Sequence, residues 1–183
     1  MRAGTVFCRF TAEDGREVTL RAPKWSDLDD MLEFINSLVE EEAPIAVNQK
    51  ISREDEVDWL SNQLSRLEKD NAVVVVAEVK DKFVGQVEVT PRVGRLSHVG
   101  DLGISLKDGY RGVGIGSELI KEAEAQALRL GIKTLTLQVF GVNDRAIRVY
   151  EKTGFREVGR IHKGALYKGE YIDTVTMAKG LAA

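Results

Sequence analysis

The stretch Gly109-Tyr110-Arg111-Gly112-Val113-Gly114-Ile115-Gly116-Ser117 decides how this chain is read, because it sets four glycines between an extended run (98–106) and a helical one (114–130). Amides freed at a helix N-terminus bind anions, and glycines let a phosphate reach them without meeting a Cβ. Three phosphate-binding patterns compete. A P-loop ends in Gly-Lys-Ser/Thr, and no lysine follows here. A dinucleotide fingerprint on Gly112 and Gly114 needs glycine or alanine at 117, where Ser117 stands, and it belongs on a first strand-helix turn. The pattern left is Arg-x-x-Gly-x-Gly, met by Arg111, Gly114 and Gly116. Its bland counterpart is a glycine turn that only lets strand and helix pack closely.

The surroundings of the loop define the topology. Upstream, residues 5–11 and 16–21 read as a strand pair around the turn Glu13-Asp14-Gly15. Leu28, Met31, Phe34, Ile35 and Leu38 mark a first helix that Pro44 ends. Ser52 caps a second, with Leu60, Leu64 and Leu67 as its stripe. AVVVVAEV is a buried strand, Lys80-Asp81-Lys82 a reversal, and FVGQVEVTPR a returning strand. Downstream, Gly131 suits a left-handed C-terminal cap, KTLTLQVF is another buried strand, 143–153 is a short helix, and 155–163 with 170–178 form a hairpin. The order ββααβββαβαββ predicts an α/β mixed sheet, mainly antiparallel, with one parallel βαβ crossover.

Composition bounds the function. The 183 residues form a single domain, 1–183, and 43% hydrophobic with 30% charged residues is a soluble, globular balance. Twenty-six Lys and Arg against 29 Asp and Glu argue against a nucleic-acid partner. The single Cys8 excludes an intrachain disulfide, and with only His98 and His162 no metal centre is expected. Neither a membrane span nor a secretory leader is read, so the expected location is cytoplasmic.

Asn143-Asp144-Arg145-Ala146-Ile147-Arg148-Val149-Tyr150-Glu151-Lys152-Thr153-Gly154-Phe155 fits Asn-x-x-Ala-x-x-x-Tyr-x-x-x-Gly-Phe. This motif and Arg-x-x-Gly-x-Gly, in that order and separation, resemble the two signatures of the GNAT N-acetyltransferase superfamily, from about residue 19 to residue 179. The closing stretch, 159–177, is similar to a branch acting on amino acids, polyamines or protein amines. The resemblance implies a sheet of about seven strands with about four helices, splayed to admit acyl-CoA. It also implies acetyl-CoA as co-substrate, with Arg111 and the amides of Gly112, Gly114, Gly116 and Ser117 around its pyrophosphate. Backbone groups of Ile104 and Leu106 would pair with the pantetheine, and Asn143 would lie near that arm. Tyr150 would protonate the departing thiolate, which suits a phenol of pKa ~10 facing a thiol of ~8.5. Without the resemblance, Asn143 is an ordinary N-cap and Tyr150 a core tyrosine.

The acceptor side is less defined. An acceptor amine is mostly protonated at neutral pH, so a base is needed. Glu88, Asp101 and His98 lie on strands near the expected cleft, a water chain is an alternative, and Glu88 also reads as part of a solvated strand face. Cys8 reads as a buried apolar residue and His162 as structural. Between 26 and 49 there is no Lys or Arg, while Asp27, Asp29, Asp30, Glu33, Glu40, Glu41 and Glu42 supply seven carboxylates, followed by Glu54, Asp55, Glu56 and Asp58. On the walls of the cleft they would attract a cationic amine. Helix dipoles account equally for Asp27, Asp29, Glu54 and Asp55, whereas Glu40 to Glu42 sit at the wrong helix end for that. The expected activity is acetyl transfer from acetyl-CoA to a primary amine in a ternary complex. The alternative is a non-catalytic acyl-CoA-binding sensor or interaction module. The oligomeric state is not read from the sequence, although an edge strand in the terminal hairpin could pair across a two-fold axis to make a homodimer.

Overall fold

One eight-stranded sheet, in the order β1-β2-β3-β4-β5-β6-β8-β7, carries the chain in a computed structural model that describes residues 2–182. The strands are β1 (Val6–Thr11), β2 (Glu17–Arg21), β3 (Val73–Val79), β4 (Lys82–Pro91), β5 (Val99–Leu106), β6 (Thr134–Phe140), β7 (Arg156–Tyr167) and β8 (Glu170–Gly180). The helices are α1 (Leu28–Glu40), α2 (Arg53–Glu68), α3 (Ile115–Arg129) and α4 (Asp144–Lys152). Eight strands match the element order read from the sequence, the 5–11 strand adding β1 beyond β2 to the seven or so that the resemblance implies.

Local chemistry sets the punctuation. Lys80 and Asp81 both take positive φ, +49° and +61°, which gives the β3–β4 reversal the hand that strand twist requires. The Ser52 hydroxyl accepts from the Asp55 amide at 3.1 Å and opens α2 as read from sequence. β3 is continuously apolar from Val73 to Ala77 because both its faces are covered. Val75 and Ala77 pack under α3, whereas Val76 belongs to the cluster on the opposite face, where Phe34, Leu38, Leu60 and Leu64 bring in α1 and α2. Among the described residues no helix is long and apolar enough to cross a membrane.

All pairings are antiparallel except β5 with β6. That parallel ladder runs only from Val99↔Thr134 to Asp101↔Thr136. Beyond it β5 stays with β4 as far as Leu106, while β6 stays with β8 as far as Phe140. The sheet therefore opens between 102–106 and 137–140.

Candidate active site

The opening exposes a strand edge. The Lys107 amide donates to Val84 O at 2.8 Å and the Arg92 amide to Val99 O at 2.9 Å, which marks 84/107 and 92/99 as bonded pairs. Bonded pairs alternate in an antiparallel ladder, so 86/105, 88/103 and 90/101 bond as well. The amides and carbonyls of Ile104 and Leu106 then face away from β4, toward the opening. Their side chains pack toward α3.

The loop between β5 and α3 has φ of +77° at Gly109, +77° at Gly112 and +90° at Gly114, the residue that caps α3. Gly114 is a glycine because of this left-handed backbone. A Cβ there would point at Glu13, 3.4 Å from Oε1, so its missing side chain faces the β1–β2 turn. That turn is fastened to the loop. The Glu13 amide donates to Val113 O at 3.0 Å, and Arg16 donates to Gly109 O at 2.7 Å while lying over the Tyr110 ring. Gly116 differs, being helical with ordinary φ. A Cβ there would lie 3.5 Å from Leu106 Cδ1 and 4.0 Å from Ile104 Cδ1, an ordinary fit. Ser117 follows in the first turn of α3 and lines a shallow cavity of ≈ 260 Å³ between α3 and the end of α4.

The two arginines at the loop are differently engaged. Arg111 donates through Nε to Leu106 O at 2.7 Å, and its Nη2 pairs with Glu41. Its guanidinium is thus tied back to β5 and to the end of α1. Arg145, in the first turn of α4, lies against Gly112: a Cβ on that glycine would meet Arg145 Nη2 at 2.5 Å. Sequence reading passed over Arg145 because it occupies a variable place in the second signature.

Asn143 caps α4, its Oδ1 accepting from the Ala146 amide at 3.2 Å. Tyr150, two turns on, is buried, with its ring edge-on to Phe155 at 6.0 Å. Burial pushes the phenol up to about 12. Among the described residues no group hydrogen-bonds its hydroxyl, while its carbonyl accepts from Thr153 Oγ1 and the Phe155 amide. The ring is core; the hydroxyl is uncommitted.

The candidate bases separate. Glu88 stands opposite Gly103 on β5, beside the opening, and a Cβ on that glycine would lie 3.5 Å from Glu88 Oε1. Burial raises its pKa, opposed by the Arg66 charge, and Gln63 of α2 donates to it at 3.4 Å. Asp101 sits where β5 and β6 are still joined. Arg92 grips it through two bonds of 2.9 and 2.6 Å and Thr136 donates at 2.6 Å. The Arg92 bond, against some burial, holds its carboxyl below the usual range. His98 is exposed at the same closed end of β5. His162 is exposed on β7, paired with Asp173 at 2.9 Å, and Cys8 is half-buried against the main core.

Two further buried polar groups carried no sequence signal. Gln86, two residues along β4 from Glu88, has a buried Oε1 without a partner among the described residues. Glu56 on α2 is buried, and burial raises its pKa.

The acidic run departs from the expectation of free charge along the cleft. Each of its seven carboxylates meets a cation of this same chain: Asp27–Arg21, Asp29–Arg53, Asp30–Lys82, Glu33–Lys107, Glu40–Lys50, Glu41–Arg111 and Glu42–Lys168. A local sequence count of charge misses partners brought in from other elements. The cluster Glu40 to Glu42 fastens the end of α1 to the glycine loop and to the tip of the terminal hairpin, where the Tyr167 hydroxyl also donates to Glu42 O at 2.7 Å.

The sheet splits beside a glycine-capped helix, and comparison with known proteins shows the family that shares this fold. The family model described as acetyltransferase (GNAT) family matches residues 32–155. The L-amino acid N-acetyltransferase AaaT of Escherichia coli is 40% identical over 107 residues, 57% of this chain and 66% of that protein. A ribosomal-protein-alanine N-acetyltransferase from Brucella melitensis superposes with a TM-score of 0.79 at 27% identity, over 88% of this chain and 99% of that one. The fold is also that of a phosphinothricin acetyltransferase from Sinorhizobium meliloti in complex with AcCoA, with a TM-score of 0.79 at 21% identity over 90% and 89% of the two chains. The chain belongs to the GNAT acetyltransferase family.

Proposed function

We propose that this protein transfers an acetyl group from acetyl-CoA to a primary amine by direct attack in a ternary complex. The observation that carries the reading is the edge of Ile104 and Leu106, with Leu106 O already held by Arg111, which the split of β5 from β6 turns toward the loop of Gly112, Gly114, Gly116 and Ser117. An extended arm can pair with such an edge as an added strand. A diphosphate then meets the amides at the start of α3.

The donor supplies a thioester, whose carbonyl is open to attack and whose thiolate is the leaving group. The Ile104 amide is placed to receive the charge that develops on the carbonyl oxygen. Asn143 fixes the first turn of α4 and borders the arm. Tyr150, kept protonated by burial, presents a hydroxyl that donates to the departing sulfur. Glu88 is the base: it lies across β4 from Gly103, and its raised pKa makes its anion a better proton acceptor than Asp101, whose lone pairs are held by Arg92 and Thr136. Arg111 reaches a phosphate only by exchanging Glu41 for it.

The acceptor enters between α2 and β4, where Gln63, Gln86 and Glu88 offer polar atoms to an ammonium group. Relatives named for an L-amino acid and for a protein alanine favour an α-amine, free or at a protein terminus. β7 is an edge strand exposing Val158, Ile161 and Leu166, and it offers the surface for a homodimer. The test is a screen of α-amines, polyamines and peptides with free-thiol release as readout. Thiol release with one class identifies the acceptor. Tight acetyl-CoA binding with no release by any amine would instead make the chain a sensor or interaction module.

A further inference from the structure

We propose that Arg145, not Arg111, is the cation that closes over the diphosphate of acetyl-CoA. The assignment rests on the acetyl-CoA reading and deepens it, by moving the charged contact from the loop to α4.

Arg145 is uncommitted. Among the described residues no carboxylate or carbonyl takes a bond from its guanidinium, whereas Arg111 already serves Leu106 O and Glu41. Its Nη2 also lies over Gly112, 2.5 Å from where a Cβ would stand, although this exposed guanidinium is the free end of a flexible side chain. From α4 it reaches across to the loop that starts α3.

Electrostatics makes this placement informative. A helix N-terminus carries partial positive charge and disfavours a nearby cation. Arg145 sits in the first turn of α4 and leans on the loop that caps α3, so it faces two such ends. Of the carboxylates at that loop, Glu13 lies on the Gly114 side while Glu41 and Asp108 face Arg111, and among the described residues none of them makes an ion pair with Arg145. An unpaired guanidinium between two positive helix ends is unfavourable until an anion arrives. A diphosphate offers adjacent anionic oxygens that suit the planar fork of donors, which an ammonium group cannot match.

The test measures donor affinity by calorimetry and steady-state kinetics for wild type, Arg145→Ala, Arg145→Lys and Arg145→Gln. Three donors are compared: acetyl-CoA, acetyl-dephospho-CoA, which lacks only the 3′-phosphate, and acetyl-pantetheine, which lacks the diphosphate too. Arg145→Ala should weaken acetyl-CoA and acetyl-dephospho-CoA equally, by about 10- to 100-fold, the worth of bonds to a charged group. The loss should appear in KM for the donor more than in kcat, and Arg145→Lys should restore only part of it. With acetyl-pantetheine, wild type and variants should coincide. Unchanged acetyl-CoA affinity in the Ala and Gln variants would overturn the proposal. A deficit that vanishes with the dephospho donor would move the contact to the 3′-phosphate and overturn it too. A deficit persisting with acetyl-pantetheine would make Arg145 structural. Wild-type protein that binds none of the three would remove the acetyl-CoA reading itself, a result separate from any variant effect.

Discussion

Glu41, immediately past the end of α1, pairs with the guanidinium of Arg111, five residues beyond the end of β5. With Arg111 also held by Leu106 O, the contact joins the end of α1 to the loop before α3. An arginine that the first signature assigns to phosphate therefore starts out neutralised.

Removing that neutralisation should favour the donor. Glu41→Gln leaves Arg111 facing the loop with only the exposed Asp108, 4.0 Å away, as an opposing carboxylate. Acetyl-CoA should bind about two- to fivefold tighter at low salt, and the gain should fade near 1 M salt, where the Debye length is ~3 Å. Loss of this partly exposed pair should cost no more than about 1 kcal/mol of stability. Unchanged or weaker donor affinity at low salt would mean that Arg111 never exchanges partners.

Gly116 separates binding from folding better than Gly114. Any side chain at Gly114 is strained by its φ of +90°, so a binding defect there is confounded with loop damage. In Gly116→Val the added Cβ itself meets only ordinary contacts with Leu106 and Ile104. The variant should keep its melting temperature within a few degrees and lose acetyl-CoA affinity by an order of magnitude or more, because its branched side chain stands beside the amides that receive the phosphate. Calorimetry giving wild-type affinity would remove Gly116 from the donor site.

Glu88→Gln tests the base through two opposite effects. Burial raises the folded-state pKa of Glu88, so the neutral acid is the form that favours folding. That contribution is complete below the unfolded carboxylate pKa and is lost as pH rises through the raised folded value. The amide should therefore melt no lower than wild type at neutral pH, and higher where wild type carries the buried anion. Activity should move the other way, falling by about 10²- to 10⁴-fold. The acidic limb of the wild-type kcat/KM profile should lie above the ordinary carboxylate range and vanish in the variant. An intact limb in Glu88→Gln would point to a water chain.

Asp27 was legible only as charge and proves to be structure. It is buried and takes two bonds of 2.7 Å from Arg21, which also donates to Glu78 at 2.8 Å. Asp27→Asn leaves a buried guanidinium short of charge, at a cost of roughly 3–5 kcal/mol. For a chain of this size that is a fall in melting temperature of roughly 6–20 °C, without a specific effect on donor affinity. A calorimetric scan showing a shift of a degree or two would contradict the buried pair.

The element order and the glycine loop were readable because they rest on local rules: apolar period, caps and positive-φ turns. Gly15, Gly131 and Ser52 each do what their neighbours in sequence imply, with φ of +85° and +81° at the two glycines. Side-chain roles were less readable because they depend on what another element brings. Nothing near Arg111 in sequence announces Glu41, and nothing near Asp101 announces that Arg92 and Thr136 will converge on it. Arg145 and Gln86 sit at positions whose motif or strand pattern accepts many residues, so only their spatial neighbours distinguish them. The two strand-edge residues were the reverse case. Ile104 and Leu106 have unremarkable side chains, and their importance lies in backbone groups that the split of the sheet leaves free.

Tyr150 offers the sharpest separation of chemistry from packing. Its ring is buried against Phe155, yet its hydroxyl has no partner among the described residues. Tyr150→Phe therefore leaves no orphaned donor or acceptor behind, and stability should change by only a few tenths of a kcal/mol, about a degree in melting temperature. Acetyl-CoA affinity should hold, since the ring remains. Turnover should fall by about 10²- to 10⁴-fold, the range of positioned acid catalysis. With the phenol pushed up to about 12, wild-type turnover should show no alkaline decline from Tyr150 below about pH 11. The deficit in Tyr150→Phe should also shrink with a donor whose thiol is more acidic, because that leaving group departs with less help. A sharp fall in stability with turnover intact would make the hydroxyl a packing group and leave the thiolate to be protonated by solvent.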